Sequence, residues 1–338
     1  MNFRKRNFRA GAALLLVLGF VILLSFLAIG ILKNMQRELL FRAEGYAKPQ
    51  LEIAAESALE TTLAVLANFI EIDGALYAPQ QGWAEPLTLA GFEYVAREDA
   101  WRFDERTLVS VKFRDESGRY ALASMDGAAL SGLFTALGVP TSETEKLADC
   151  LLDWTDADDN VRANGAEIDD YEDAGSVAIP PNRPLRDVSE LRHIFNFREM
   201  FFDDAGTPNE FFELFKNAVS LHASTGLPNI NTANPAALKA LTYESGADAT
   251  AIFEYLDGSE SISGNAGVFR NAADLSRAGA ETLSGKVSFG VRTLRITVVA
   301  RRGDASFVLD TLAEVSASAG ANSSPFRIIS RTVNVLAE

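Results

Sequence analysis

The most constraining feature is a run of 21 uncharged residues, Ala12 to Leu32, directly behind a start that carries Arg4, Lys5, Arg6 and Arg9 and no acid. At about 1.5 Å per residue the run makes roughly 31 Å of helix, the thickness of a bilayer's hydrocarbon core. The charge asymmetry predicts an orientation: the cations hold the start of the chain in the cytoplasm and the rest is exported. A cleaved secretory signal has a shorter apolar stretch that ends in small residues. Here Lys33-Asn34-Met35-Gln36-Arg37-Glu38 follows instead, so the segment reads as a retained single-pass anchor.

The small residues lie before the apolar run. Arg9-Ala10-Gly11-Ala12-Ala13-Leu14-Leu15-Leu16-Val17-Leu18 resembles a type IV prepilin leader, which a membrane peptidase cuts after the glycine. The resemblance implies a cut between Gly11 and Ala12 that leaves the anchor on the mature chain. A residue without Cβ suits close approach by a protease. In pilins and most pseudopilins the fifth residue after the cut is a glutamate that pairs with the neighbouring subunit's amino terminus. Counted from Ala12 that position is Leu16. A carboxylate in lipid must find a partner; a chain without one lacks that reason to insert beneath another subunit, which implies a place at the tip.

Beyond the anchor, Ala55, Leu59, Leu63, Leu66 and Ile70 keep helical spacing while Glu52, Glu56 and Glu60 face elsewhere. Gly45 and Pro49 interrupt this stretch and predict a kink or a fresh helix start. Strand-period alternation marks Phe92–Ala96 and Leu108–Phe113, then Arg292–Ala300, Ser306–Val315 and Phe326–Leu336. Between them the period is helical. The economical organisation is α+β: 1–11 leader, 12–32 membrane span, 33–119 helix and first strands, 120–286 inserted helical domain, 287–338 closing strands. Two sequential domains compete with it.

The insertion contains an internal echo. Ala121–Leu133 aligns with Asn229–Leu241, Asp126 and Asn234 offering helix caps and Pro235 a first-turn residue. A second helix follows each, over 143–154 and 249–256, giving two helical hairpins of SAM-like type. Asn229-Ile230-Asn231-Thr232-Ala233 also looks like the opening of helix-hairpin-helix modules, which raises an alternative: a membrane-anchored DNA-binding protein of a pilus-like uptake system. Against nucleic acid stand a net charge of -15 and a single cation, Lys239, between Asn229 and Leu256.

Asp153 to Asp173 holds nine carboxylates and one cation, Arg162. Asp156, Asp158, Asn160, Arg162, Asn164 and Glu167 fall at positions 1, 3, 5, 7, 9 and 12 of a calcium loop of EF-hand type, with Arg162 offering its carbonyl and Glu167 a bidentate carboxylate. Val161 stands where that motif has glycine, and nothing after Glu167 reads as an exit helix. A nonstandard structural calcium loop and a solvated acidic loop are the two readings. Crowded carboxylates can also split into an acid and a base, but no substrate-binding pattern accompanies them, and the chain reads as a non-enzyme. Cys150 is the only cysteine and His193 and His222 the only histidines, which excludes an intrachain disulfide and a cysteine-based zinc cluster.

Taken in order, the leader, Leu16, Asp115-Glu116-Ser117-Gly118-Arg119, Leu151-Leu152-Asp153-Trp154-Thr155-Asp156-Ala157-Asp158-Asp159, Asn164-Gly165-Ala166-Glu167, Asn182-Arg183-Pro184-Leu185 and Asn229–Ala233 resemble the landmarks of general secretion pathway protein K, the minor pseudopilin family of type II secretion. The resemblance implies a pseudopilin fold with a long N-terminal transmembrane helix, an antiparallel sheet and a large helical insertion. It also implies calcium in the acidic region, prepilin peptidase processing and methylation, and an inner-membrane anchor with the bulk in the periplasm. Its implied partners are minor pseudopilins I and J and the other pseudopilins, with a place at the pseudopilus tip. Ala121 and Ala123 depart from the family pattern, which has asparagine there.

Overall fold

The computed structural model describes the backbone of residues 7–224, 226–258, 267–316 and 324–337, and their side chains except in 7–16, 36–47 and 335–337. One helix, α1, runs from Asn7 to Asp73. From Val17 to Met35 it is apolar, long enough to cross a membrane and buried nowhere against the protein. Gly11, Ala12 and Leu16 lie on this helix, outside the described side chains. No fresh helix starts at Gly45–Pro49; α1 continues through Pro49. Proline inside a helix costs about 3 kcal/mol, whereas Leu51, Leu59, Leu66 and Ile70, all buried, contribute about 1.5–3 kcal/mol each. Packing immediately beyond the proline outweighs the lost hydrogen bond.

That packing is against a sheet. After α2 (Pro86–Leu89) come β1 (Glu93–Val95), β2 (Ala100–Arg102) and β3 (Leu108–Asp115). The short strand β2 was not legible as a strand. Next follow β4 (Tyr120–Ala121), α3 (Gly127–Leu137), α4 (Thr141–Thr155), α5 (Ile168–Asp173), α6 (Phe197–Phe201), α7 (Glu210–Ala218), β5 (Val219–Ser220), α8 (Pro235–Ser245), α9 (Ala249–Leu256) and α10 (Ala272–Arg277). The chain closes with β6 (Thr293–Arg302), β7 (Ala305–Val315) and β8 (Phe326–Ala337). The main sheet has six strands in the order β1-β2-β3-β6-β7-β8, every adjacent pair antiparallel. Because β3 and β6 are neighbours, everything between them is inserted into the sheet. Val109, Val111, Leu294, Ile296, Val298, Phe307 and Leu309 bury the sheet's inner face against α1.

The insertion has two cores. In the first, Phe134 stacks on Phe215 at 5.2 Å between ring centres and meets Phe197 and Phe201 edge-on, the offset and T-shaped arrangements that ring quadrupoles favour. Ile230, Leu238, Ile252, Phe269 and Leu283 build the second. The two hairpins are α3/α4 and α8/α9, and their caps form as the spacing requires: Asp126 accepts from Ala129 N–H at 2.8 Å and Asn234 from Ala237 N–H at 2.9 Å.

A buried polar knot fixes the insertion on the sheet. At the end of β3, Asp115 accepts from Asn229 Nδ2 at 2.9 Å, Thr232 Oγ1 at 2.6 Å and Ser117 N–H at 2.8 Å. Asn229 also donates through Nδ2 to the Tyr77 carbonyl, and its N–H reaches the Ser117 carbonyl at 2.6 Å. Ser117 Oγ in turn accepts the Arg292 and Thr293 N–H groups at the head of β6. Beside it the buried Glu116 pairs with Arg114 and Arg295 and accepts from Ser220 Oγ. Burial pushes the Asp115 carboxyl up to about 6, against the pull of its three donors.

Gly118 is required where the knot closes, since a Cβ there would overlap the Thr232 carbonyl oxygen. Gly118→Ala should therefore cost about 1–3 kcal/mol in urea denaturation, as overpacking does. Gly132→Ala, in α3 where nothing lies within 4 Å of the added carbon, should stabilise by about 0.5–1 kcal/mol. Equal effects from the two would show that the knot tolerates displacement.

Candidate functional site

The acidic loop leaves α4 at Thr155 and returns at α5. Asp153 sits on the inner face of α4, its side chain fully buried. Arg162 folds back over it: its N–H donates to Asp153 Oδ2 at 3.1 Å, and its guanidinium reaches Asp153 Oδ1 and Asp156 Oδ2, each at 2.5 Å. Gly165 passes so close that any Cβ would overlap the Asp153 carboxylate. This explains Asn164-Gly165 in the loop, and the Gly165 N–H closes the turn on the Arg162 carbonyl at 3.1 Å.

The six spaced residues do not converge as one shell. Arg162 joins Asp153 and Asp156, and the charges of both carboxylates bear on Glu167. Asp158 is turned to Asn160, accepting from its N–H at 3.0 Å and its Nδ2 at 2.5 Å. Asn164 faces Asp149, donating to it through both N–H and Nδ2 at 3.1 Å. Glu167 is followed directly by α5, so the exit helix that the sequence did not reveal is present, with the Asp170 carboxylate accepting the Glu167 N–H at 3.0 Å. Among the described residues no three His, Cys, Asp or Glu side chains form a ready-made metal cluster.

What the loop does hold is a set of stranded oxygens. Asp156 Oδ1, both Glu167 carboxylate oxygens and Asn182 Oδ1 are buried without a hydrogen-bond partner, a state costing about 1–3 kcal/mol per group. Burial, then the charges on Asp153, Asp156, Asp159 and Asp158, push Glu167 up to about 7. Asn182 ties in from the distant Asn182–Leu185 segment through Nδ2, which donates to Asp159 Oδ1 at 2.9 Å. All-oxygen ligands of this kind suit a hard divalent cation, but as placed the described carboxylates do not gather three around one point. Asn164, held by Asp149, does not take part as placed.

Asp153 and Asn182 are two members of the loop's hydrogen-bond network that the spacing did not mark. An acid at an apolar-phase position of α4, three residues after the buried Cys150, was the available clue for Asp153; for Asn182, none beyond its own motif. Cys150 itself is buried, its thiol donating to the Asn164 carbonyl at 3.4 Å and pushed up to about 11 by burial, which leaves it unreactive. The Asn229–Ala233 segment is spent on structure: Asn231 Nδ2 donates to the Phe269 and Phe289 carbonyls at 2.8 Å and its Oδ1 accepts the Phe269 N–H at 2.7 Å. These side chains are unavailable to a phosphate, and the DNA-binding alternative finds no support.

Glu167 gives a pH dependence. Its folded value near 7 lies above the ordinary 4.5, so the stability associated with its protonation is complete below about pH 4.5 and lost as pH rises through 7. In a chelator, stability should fall by on the order of 1–3 kcal/mol between pH 5 and 8, and Glu167→Gln should flatten that fall. Urea denaturation across pH checks it; an unchanged slope in the variant would assign the fall to another group.

Comparison with known proteins places these elements. Residues 103–204 match the family model for type II secretion system protein K, first domain. Type II secretion system protein K of Pseudomonas aeruginosa is 29% identical over 122 residues, 33% of this chain and 33% of that protein, so the aligned region spans about a third of the relative's length. A chain of the crystal structure of the GspK-GspI-GspJ complex from the enterotoxigenic Escherichia coli type 2 secretion system superposes with a TM-score of 0.56 at 18% identity, covering 86% of this chain and 97% of that one. That likeness gives the fold: a long helix, an antiparallel sheet and an inserted helical domain. Over the region matched by the family model, from the end of the first strands through the acidic loop, the chain is similar to type II secretion system protein K.

Proposed function

We propose that this chain is a minor pseudopilin that caps the pseudopilus of a type II secretion system and supports protein export by assembly, not catalysis. The observation that carries it is α1: one continuous helix whose first half is apolar and uncovered over Val17–Met35 and whose second half is the spine of the sheet domain. A helix of that kind can lie beside the helices of like subunits, while a large helical domain inserted between β3 and β6 adds bulk above it. The solved relative is a complex with GspI and GspJ, and minor pseudopilins I and J are the partners proposed here. Prepilin peptidase would cut after Gly11, leaving Ala12 as the methylated first residue of an inner-membrane subunit with its bulk in the periplasm. Leu16, in place of the glutamate of stacking subunits, favours the terminal position.

Calcium is proposed to bind the acidic loop through Asp156, Glu167 and Asp153, with Asn182. The stranded oxygens support it, and the ion would supply the charge that nine carboxylates lack. Among the residues expected from spacing, Asp158, Asn160 and Asn164 would have to turn from their present partners to join it.

Two measurements test these proposals. Intact mass of the protein from cells with the peptidase should match a chain starting at Ala12, and Gly11→Ala should leave it uncut; a start elsewhere would reject the processing site. Calorimetric titration of calcium should release or absorb heat that Asp156→Ala abolishes, with the melting temperature raised by calcium and lowered again by chelator. No heat and no thermal shift would remove calcium from the site.

A further inference from the structure

Beside the acidic loop, between α3, α4 and the turn at Pro184–Leu185, the insertion contains a cavity of about 230 Å³. Leu122, Leu130, Leu151, Leu152, Leu185 and Leu221 line it together with Asp156. Ala123 and Pro184, also in its lining, are exposed, so the cavity opens to solvent. Its volume is below the roughly 300–1,000 Å³ of pockets that take whole drug-sized ligands. It suits an inserted side chain.

The lining is chemically two-sided. The leucines reward an apolar group, while Asp156 contributes a carboxylate of which Oδ2 is held by Arg162 and Oδ1 is buried with no hydrogen-bond partner. An apolar ligand alone would leave Asp156 sharing the single Arg162 guanidinium with Asp153, and an ion alone would be desolvated against leucine. The surrounding segment, Asp153 to Asp173, carries nine acids against the single Arg162, so its field attracts cations to the same mouth. We propose that this cavity is a docking pocket for a segment of another protein that presents a leucine- or phenylalanine-sized side chain next to a lysine or arginine. The apolar side chain fills the leucine-lined space and the neighbouring cation pairs with Asp156.

Asp156 is shared with the proposed calcium loop, so the test is run in chelator. The full chain in lipid nanodiscs is titrated with the peptide acetyl-Gly-Phe-Lys-Gly-amide carrying 4-fluorophenylalanine, and the fluorine NMR line is followed. Saturable broadening is expected at millimolar peptide. Replacing the peptide's lysine by glutamate should abolish it, and Asp156→Asn should weaken it about five- to tenfold. Ala123→Trp, which fills the mouth, should remove binding, and Leu152→Lys, which places a cation in the lining, should do the same; circular dichroism melts show which of the two variants is folded and therefore read. No saturable broadening, equal binding of the glutamate peptide, or binding undiminished in a folded blocking variant overturns the proposal. Broadening by free phenethylammonium as strong as by the peptide would also overturn it, by making the site one for small amines. The calcium and peptide titrations use different ligands, so either can fail with the other intact.

Discussion

Asp115 is the point on which the two halves of the molecule meet. A carboxylate buried this deeply persists only if its hydrogen-bonding capacity is filled, and here the donors come from a distant stretch of chain. Asn229 and Thr232 lie more than a hundred residues further along, yet both donate to its Oδ2. The same asparagine reaches back to the turn after α1 through the Tyr77 carbonyl. One short cluster thus fastens the end of the long helix, the end of β3, the head of β6 and the start of the second hairpin. The insertion's two hydrophobic cores stabilise it internally; the cluster sets its placement on the sheet.

This also accounts for what was readable in the chain. The apolar run, the alternating strands and the hairpin caps are local patterns, and each appears where its spacing puts it: β3, β6, β7 and β8, and the caps Asp126 and Asn234. Of the two outcomes expected at Pro49, a kink or a fresh helix start, the fresh start does not occur, because the proline's cost is local while the compensation, burial of Leu51 to Ile70 against the sheet, is not. Strand β2 is three residues long, too short for alternation to register. The Asn229–Ala233 motif was recognisable as a motif, but its use was hidden, since nothing nearby in sequence tells that its partner is Asp115.

The acidic loop divides the same way. Its composition announced an unusual concentration of charge, and the carboxylates of Asp153, Asp156, Asp159 and Asp158 do bear on Glu167. The arrangement departs from the spacing because Arg162 turns its side chain inward onto Asp153 and Asp156, supplying from within the chain part of the charge an ion would bring. Asp149 then captures Asn164. Only the three-dimensional fold brings Asn182 to the loop, where it donates to Asp159, since it arrives from beyond α5. The residual frustration sits on Glu167, whose two oxygens are buried and unpartnered.

The adjacency of β3 and β6 carries a mechanical consequence. Both connections to the insertion leave from the same end of the sheet, and the two strands are paired without interruption from Leu108 opposite Arg301 to Asp115 opposite Leu294. A push delivered along the helix reaches the inserted domain through a doubled beam anchored at its base by the Asp115 cluster, not through a single flexible tether. An axial load between the helix and the insertion therefore falls in shear on eight backbone pairings and on the Asp115 cluster at their base.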